Sequence, residues 1–389
     1  MNRSSLHIVF SGGETPGYLM PGLAVAEALH AERPTVRITF AGNAGAWERR
    51  RIAAAGYDCL PLCSRPSPRR LRDVVPSFTD NLAGHLSARR FLDDYPATAV
   101  VGLGDVSSLP MARAALARRV PLILLEQNVV PGLATRRLAR SADSVCVGLA
   151  PVRAKLRCRC SVPVTGTPIF CSRRDPGSER SRRLVVLGGS GNNTMLNQTL
   201  PRSLYKMRRL LHGWQIVHQA GAAELQATRA LYQKLGLPAV VADSFTNQPD
   251  MLAGSDLAVC GAGGTVLAEL SAAGVPAVLV PSFQAESKFQ RANAALFAKA
   301  GGVLLFDPPP NAERPDEELA KLLASVLTDP ARVATMATVM RRFARPRAAA
   351  DVADLILERI AELAEPSVSP PRKVGRKRAS AVSSLCSTF

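Results

Sequence analysis

The run Leu6-His7-Ile8-Val9-Phe10 breaks into Ser11-Gly12-Gly13-Glu14-Thr15-Pro16-Gly17-Tyr18 and then, past Pro21-Gly22, into the helical pattern Leu23–Ala31. An aliphatic strand, a tight glycine turn and a helix open a βα unit, and the helix start gathers backbone N–H groups that can approach a phosphate. The turn is not a dinucleotide fingerprint, because its spacing is not G-x-G-x-x-G and no strand-end acid follows at the required distance. Outward from this unit, short aliphatic runs at Val36–Phe40, Ala99–Leu103 and Leu122–Leu125 alternate with longer amphipathic stretches. That is the pattern of a parallel sheet covered by helices. A second series begins at Leu184–Leu187 and continues through Gln215–His218, Ala239–Ala242, Leu257–Cys260, Ala277–Val280 and Val303–Phe306. The chain therefore reads as α/β, building the same kind of sheet twice.

Between the series, Thr165–Arg183 is turn-forming and poorly periodic, which sets domains at 1–165 and 166–345. A helical stretch broken by Pro346 places a last helix in 346–365, and the Ser/Pro/Arg/Lys-rich segment 366–389 is expected to be disordered. With 389 residues, 47% hydrophobic and 21% charged, most of the chain should fold. Lys and Arg number 49 against 31 Asp and Glu, and the surplus is +10 in residues 1–165, +3 in 166–365 and +5 in the tail. Such a field attracts phosphates of nucleic acid, lipid headgroups or a small substrate. The basic segments lack interleaved aromatics and any reading motif, so no nucleic-acid partner is expected. The eight cysteines show neither paired C-x-x-C spacing nor companion histidines, so no metal site is expected, and a reducing compartment fits them. No apolar run is long enough to span a bilayer and no signal-peptide core follows Met1, which leaves only a peripheral relation to a membrane.

Two more glycine turns sit at strand ends. Gly188-Gly189-Ser190-Gly191-Asn192-Asn193 follows Leu184–Leu187, and Gly261-Ala262-Gly263-Gly264-Thr265 follows Leu257–Cys260 and opens a helix carrying Glu269. The first could surround a diphosphate; a carboxylate placed as Glu269 is can accept hydrogen bonds from both hydroxyls of a ribose.

Gly13–Tyr18 with Pro21-Gly22-Leu23-Ala24, Glu126-Gln127-Asn128, Gly188-Gly189-Ser190 with Leu196-Asn197-Gln198, and Gly263 to Glu269 with Ala272-Ala273-Gly274-Val275-Pro276 occur in this order. Together they resemble the family 28 glycosyltransferases that add N-acetylglucosamine to the lipid-linked muramyl-pentapeptide of peptidoglycan synthesis. The resemblance implies a GT-B fold, two Rossmann-like domains facing across a cleft, with the last helix near Val352–Glu362 crossing back to the first. It implies UDP-N-acetylglucosamine as donor, held mainly by the second domain, and no cofactor or metal. Ser190 would meet the diphosphate, the Phe245-Thr246 backbone the uracil, Glu269 the ribose, and Gln290 with Asn293 the donor sugar. Thr15, Pro16 and Gly17 would line the opposite wall, and Asn128 would face donor or acceptor. The acceptor would be a lipid-linked pyrophosphoryl sugar at the cytoplasmic face of the inner membrane.

The chain departs from this pattern where the family writes G-G-T-G-G-H, H-E-Q-N and G-N-P-V-R. Here stand Gly13-Glu14-Thr15-Pro16-Gly17-Tyr18, Leu125-Glu126-Gln127-Asn128 and Gly166-Thr167-Pro168-Ile169-Phe170. The second glycine turn and Lys288-Phe289-Gln290 also differ from the family's G-G-S-Q-G-A and D-H-Q. An inverting attack by a sugar hydroxyl needs a base. His7, His30, His85, His212 and His218 do not fall at the family's catalytic positions, and Tyr18 is a poor base at a pKa of about 10. The carboxylates Asp105, Glu14 and Glu126 are the candidates. Transfer to another lipid-linked acceptor, and a catalytically weak relative serving as a scaffold, remain alternatives. Arg65–Arg90 mixes arginines with Leu71, Val74, Val75, Phe78, Leu82 and Leu86, a composition suited to an anionic membrane surface.

Overall fold

The computed structural model describes residues 6–65, 74–172, 181–188, 193, 195–245, 247–282, 287–309 and 311–364. In the first domain β1 (His7–Ser11), β2 (Arg37–Gly42), β3 (Asp58–Pro61), β4 (Ala99–Gly102), β5 (Leu122–Glu126) and β6 (Ser144–Val147) form one sheet in the order β3-β2-β1-β4-β5-β6. The second sheet joins β7 (Arg183–Leu187), β8 (Gln215–Gln219), β9 (Val240–Ala242), β10 (Leu257–Cys260), β11 (Ala277–Leu279) and β12 (Val303–Leu305) in the order β12-β11-β10-β7-β8-β9. Read from its own first strand, the second order repeats the first. All the ladders are parallel, with Ile8 opposite Ile38 and Ala99, and Val185 opposite Val217 and Ala258.

Alternate side chains of each strand feed opposite faces, as the pleat requires. Ile8 and Phe10 enter one layer of the first domain and Val9 the other; Leu184 and Val186 are divided from Val185 and Leu187 in the same way. Helices α1 (Pro16–Glu32), α2 (Ala46–Ala54), α3 (Val74–Asp94), α4 (Leu109–Arg118) and α5 (Leu133–Leu138) belong to the first domain. The second carries α6 (Leu200–Lys206), α7 (Leu225–Lys234), α8 (Gln248–Ala253), α9 (Gly264–Ala273), α10 (Ser287–Ala300), α11 (Pro315–Leu327) and α12 (Pro330–Phe343). The last helix, α13 (Ala348–Ala364), returns to the first domain, where Val352, Ala353 and Ile356 are fully buried in the layer that holds Ile8 and Phe10. At roughly 1.5–3 kcal/mol for each large aliphatic side chain so buried, α13 is a structural part of that domain.

The α1 helix begins at Pro16, seven residues before the start that the Pro21-Gly22 pair suggests. Pro16 occupies the first helical position, where a missing N–H costs nothing. Pro21 lies inside the helix and cannot donate to the carbonyl of Gly17, which is left open for another donor.

Candidate active site

Strand order reverses between β1 and β4 in the first domain and between β7 and β10 in the second, and ligands of doubly wound sheets bind in the crevice outside those strand ends. The first and third glycine turns, which follow β1 and β10, emerge there. In the first domain Gly12 and Gly13 take φ of +108° and +115° and turn the chain so that the amides of Gly13 and Glu14 both donate to Asp105 Oδ2, each at 2.9 Å. Asp105 reaches them because it follows β4, the neighbour of β1. The residue is 8% exposed, with its carboxyl Oδ1 buried against Gly12 and unpaired among the described residues. Burial pushes the Asp105 carboxyl up, and the Glu14 and Gly13 amides pull against that rise.

Glu48 of α2, which the sequence reading passed over, is buried beside this turn. Its pKa is raised by burial and by the charges of Asp105 and Glu14. Glu126 is also buried, with Oε1 accepting from the Asn128 amide at 3.0 Å and Oε2 from the Gly132 amide at 2.9 Å. Burial raises its pKa and those amides restrain it. Two of the three carboxylates thus have their oxygens turned to the backbone, whereas Glu14 is exposed at the turn.

The two domains meet along α1 and α9. Thr265 Oγ1 donates to the Gly17 carbonyl at 2.8 Å, filling the acceptor that Pro21 leaves open. A Cβ on Gly264 would lie 2.3 Å from the Gln127 carbonyl oxygen, so glycine is what permits this approach. Asn293, fully buried, ties the cleft shut: its Oδ1 accepts from the Val129 amide at 2.8 Å, and its Nδ2 donates to Asn128 Oδ1 at 3.0 Å and to the Ala262 carbonyl at 2.9 Å. Gln290, on the same helix, accepts through Oε1 from the amides of Ser282 at 3.1 Å and Ala262 at 3.3 Å. Thr15, Pro16 and Gly17 form the start of α1 opposite them.

Glu269 lies in α9 and accepts a 2.6 Å bond at Oε2 from Gln248 Nε2, a residue 21 positions away that no local signal marks. Burial pushes its carboxyl up to about 7 against the pull of that bond. Phe245 packs half-buried on the core layer beneath. Ser190 and Thr246 lie outside the described residues, as do most of the second glycine turn. Beside Gly188, Asn197 Nδ2 donates to the Ala220 carbonyl at 3.0 Å, which fixes Oδ1 as the acceptor for His218 Nε2–H at 3.0 Å. The Tyr232 hydroxyl then donates to Nδ1, and burial lowers the His218 pKa to about 3. This histidine is a neutral brace. Among the described residues no group of three His, Cys, Asp or Glu side chains is arranged to hold a metal ion.

The N-terminal domain model of glycosyltransferase family 28 matches residues 8–147, and the C-terminal domain model of that family matches residues 183–352. The chain is 34% identical over 363 residues to the Bordetella petrii UDP-N-acetylglucosamine--N-acetylmuramyl-(pentapeptide) pyrophosphoryl-undecaprenol N-acetylglucosamine transferase, covering 90% of this chain and 96% of that one. The Alkalilimnicola ehrlichii protein of the same name is 34% identical over 361 residues, 91% of this chain and 99% of its own length. Among solved structures, MurG of Acinetobacter baumannii superimposes with a TM-score of 0.70 at 24% identity over 91% of this chain and 99% of that chain. The fold is GT-B.

Proposed function

The chain belongs to glycosyltransferase family 28, and from that premise we propose that it transfers N-acetylglucosamine from UDP-N-acetylglucosamine to undecaprenyl-pyrophosphoryl-N-acetylmuramyl-pentapeptide, with inversion, in peptidoglycan synthesis. The observation that carries this reading is the 34% identity along nine-tenths of the chain to relatives named for that transfer. In the proposed site the ionised Glu269 carboxylate, oriented by Gln248, accepts the ribose hydroxyls. The N-terminus of α9 and the second glycine turn with Ser190 stabilise the departing UDP. Phe245-Thr246 hold the uracil by their backbone, and Gln290 the sugar. Both amide hydrogens of Asn293 are engaged, to Asn128 and Ala262, and its Oδ1, which accepts from the Val129 amide, has a second lone pair for a sugar hydroxyl. Glu14, exposed where the acceptor hydroxyl must arrive, is the proposed base. No metal is assigned a part.

The acceptor's lipid requires a membrane face. On α3, Val75 and Phe78 are 69% and 68% exposed, and Leu82 and Leu86 each 45%, spaced three or four residues apart along one side of the helix. Arg89 and Arg90 lie on the same helix, while Arg69, Arg70, Leu71 and Arg72 of the expected interfacial segment lie outside the described residues. Among the described residues no helix is long and apolar enough to cross a membrane. We assign the stripe to peripheral contact with an anionic membrane on its cytoplasmic side, each basic residue adding about 1 kcal/mol. Phe78→Ser with Leu82→Ser should weaken sedimentation with anionic vesicles; undiminished binding refutes the assignment.

A second reading, transfer to a different lipid-linked acceptor, is favoured by Glu14, Pro16 and Tyr18 standing on the acceptor-side wall. Calorimetry with UDP-N-acetylglucosamine tests the shared premise. Binding should survive chelator and weaken in Glu269→Ala; unchanged affinity in that variant, or loss in chelator, contradicts the site.

A further inference from the structure

Two adjacent amides, those of Gly13 and Glu14, converge at 2.9 Å on a single oxygen at the mouth of a 17-residue helix. Converging backbone N–H groups at such a place make an anion-binding concavity. Here a carboxyl group already fills it. The Asp105 carboxylate, supplied by the neighbouring strand, takes both donors through Oδ2 and lies so close that a Cβ on Gly12 would be 2.3 Å from its Oδ1. Asp105 is nine-tenths buried, and its carboxyl is held by hydrogen bonds from the two amides of the turn. Both of these bonds oppose the cost of its burial. Glu48, buried alongside, and Glu14, on the turn, add negative potential at the same place.

We propose that Asp105 is an intramolecular substitute for phosphate that occupies the donors of the first glycine turn, bars a phosphate group from them, and so makes Asp105 a specificity-determining residue of the first domain. The part of the acceptor received at this turn is then an uncharged, hydroxyl-bearing sugar, and its pyrophosphate is held elsewhere. The hydroxyl meets Glu14 on the same turn. Asp105 acts here as a positioning residue and takes no proton from substrate. This inference rests on the family reading of the cleft.

The test uses the full chain saturated with UDP, so that the diphosphate site of the second domain is filled, in salt high enough to quiet the basic surface, with inorganic pyrophosphate as the titrant. Wild-type protein should show no specific pyrophosphate binding. Asp105→Ala, which empties the turn, should bind it at least about tenfold more tightly, the worth of two freed amides to a charged ligand. Asp105→Asn keeps the shape and both bonds but loses the charge; it should gain a smaller increment, and it decides the matter should Asp105→Ala fail to melt cooperatively. The inference is overturned if UDP-loaded wild type binds pyrophosphate as tightly as Asp105→Ala, or if folded Asp105→Asn and Asp105→Ala gain nothing. Failure of wild type to bind UDP would instead strike the reading of the cleft.

Discussion

Replacing Gly264 by alanine should separate the two domains without harming either. The new Cβ would stand 2.3 Å from the Gln127 carbonyl oxygen, 2.8 Å from its carbon and 3.0 Å from Gln127 Cβ. The first of these is about 1 Å short of van der Waals contact. Gln127 cannot retreat cheaply. It is buried, and Glu126 before it is held by the amides of Asn128 and Gly132. The strain is therefore relieved by moving the α9 start away from the first domain, which lengthens the Thr265 to Gly17 bond and shifts Asn293 from Asn128. A displacement of about 1 Å between reacting groups can cost up to ~100-fold in rate, or ~2.7 kcal/mol of transition-state stabilisation. Within α9 alanine is the better helix former by as much as ~1 kcal/mol, so the second domain should melt no lower than in the parent. Steady-state transfer and thermal melting would be measured together, with Gly263→Ala as control because a Cβ there meets nothing within 4 Å. The expected result is a large loss of kcat/KM in Gly264→Ala with unchanged melting, and near-parental Gly263→Ala. Activity of Gly264→Ala within about twofold of the parent would refute closure along α1 and α9 as the working geometry.

Thr265→Val removes the hydroxyl that fills the Gly17 carbonyl and should cost about 1 kcal/mol of closure, read as a roughly fivefold fall in kcat/KM; no change would show that the bond is dispensable. Because the Glu269 carboxyl is pushed up to about 7, its ionised fraction rises through neutrality, and UDP affinity measured by calorimetry should rise with pH across that range. Glu269→Gln should flatten the dependence. The neutral His218 brace acts in a more acidic window: its folded pKa of about 3 lies below the unfolded value, so protons favour the unfolded chain. Its stabilisation is present above pH ~6.5 and should be lost at about 1.4 kcal/mol per unit as pH falls toward 3. His218→Gln should remove that slope from chemical-denaturation curves, and a slope unchanged in the variant would place the acid sensitivity elsewhere.

The repeated sheet is legible because parallel strands buried on both faces must be aliphatic throughout, as Ala99–Leu103 and Leu257–Cys260 are, and because glycine punctuates their ends. The start of α1 is not. Pro21-Gly22 reads locally as a break, and a hydroxyl from the other domain, 248 positions away, donates to the carbonyl that Pro21 abandons. Asp105 is recognisable as a strand-end acid, yet its inward use depends on β1 and β4 being neighbours, which is a property of strand order. Glu269 is visible at its place in a glycine-opened helix, while Gln248 and Glu48 carry no pattern of their own. The apolar stripe of α3 lies between these cases: its residues stand in the sequence, and their exposure emerges only when the other side of α3 is packed against α4.

The most direct test of the account is transfer of labelled sugar from UDP-N-acetylglucosamine to undecaprenyl-pyrophosphoryl-N-acetylmuramyl-pentapeptide presented in anionic vesicles, with Glu14→Gln assayed beside the parent protein. The account predicts a β-linked disaccharide-lipid product from the parent and a fall of at least about 100-fold for Glu14→Gln, in the range typical of losing a general base. Absence of product from a parent protein that binds UDP-N-acetylglucosamine, or a fully active Glu14→Gln, would contradict it.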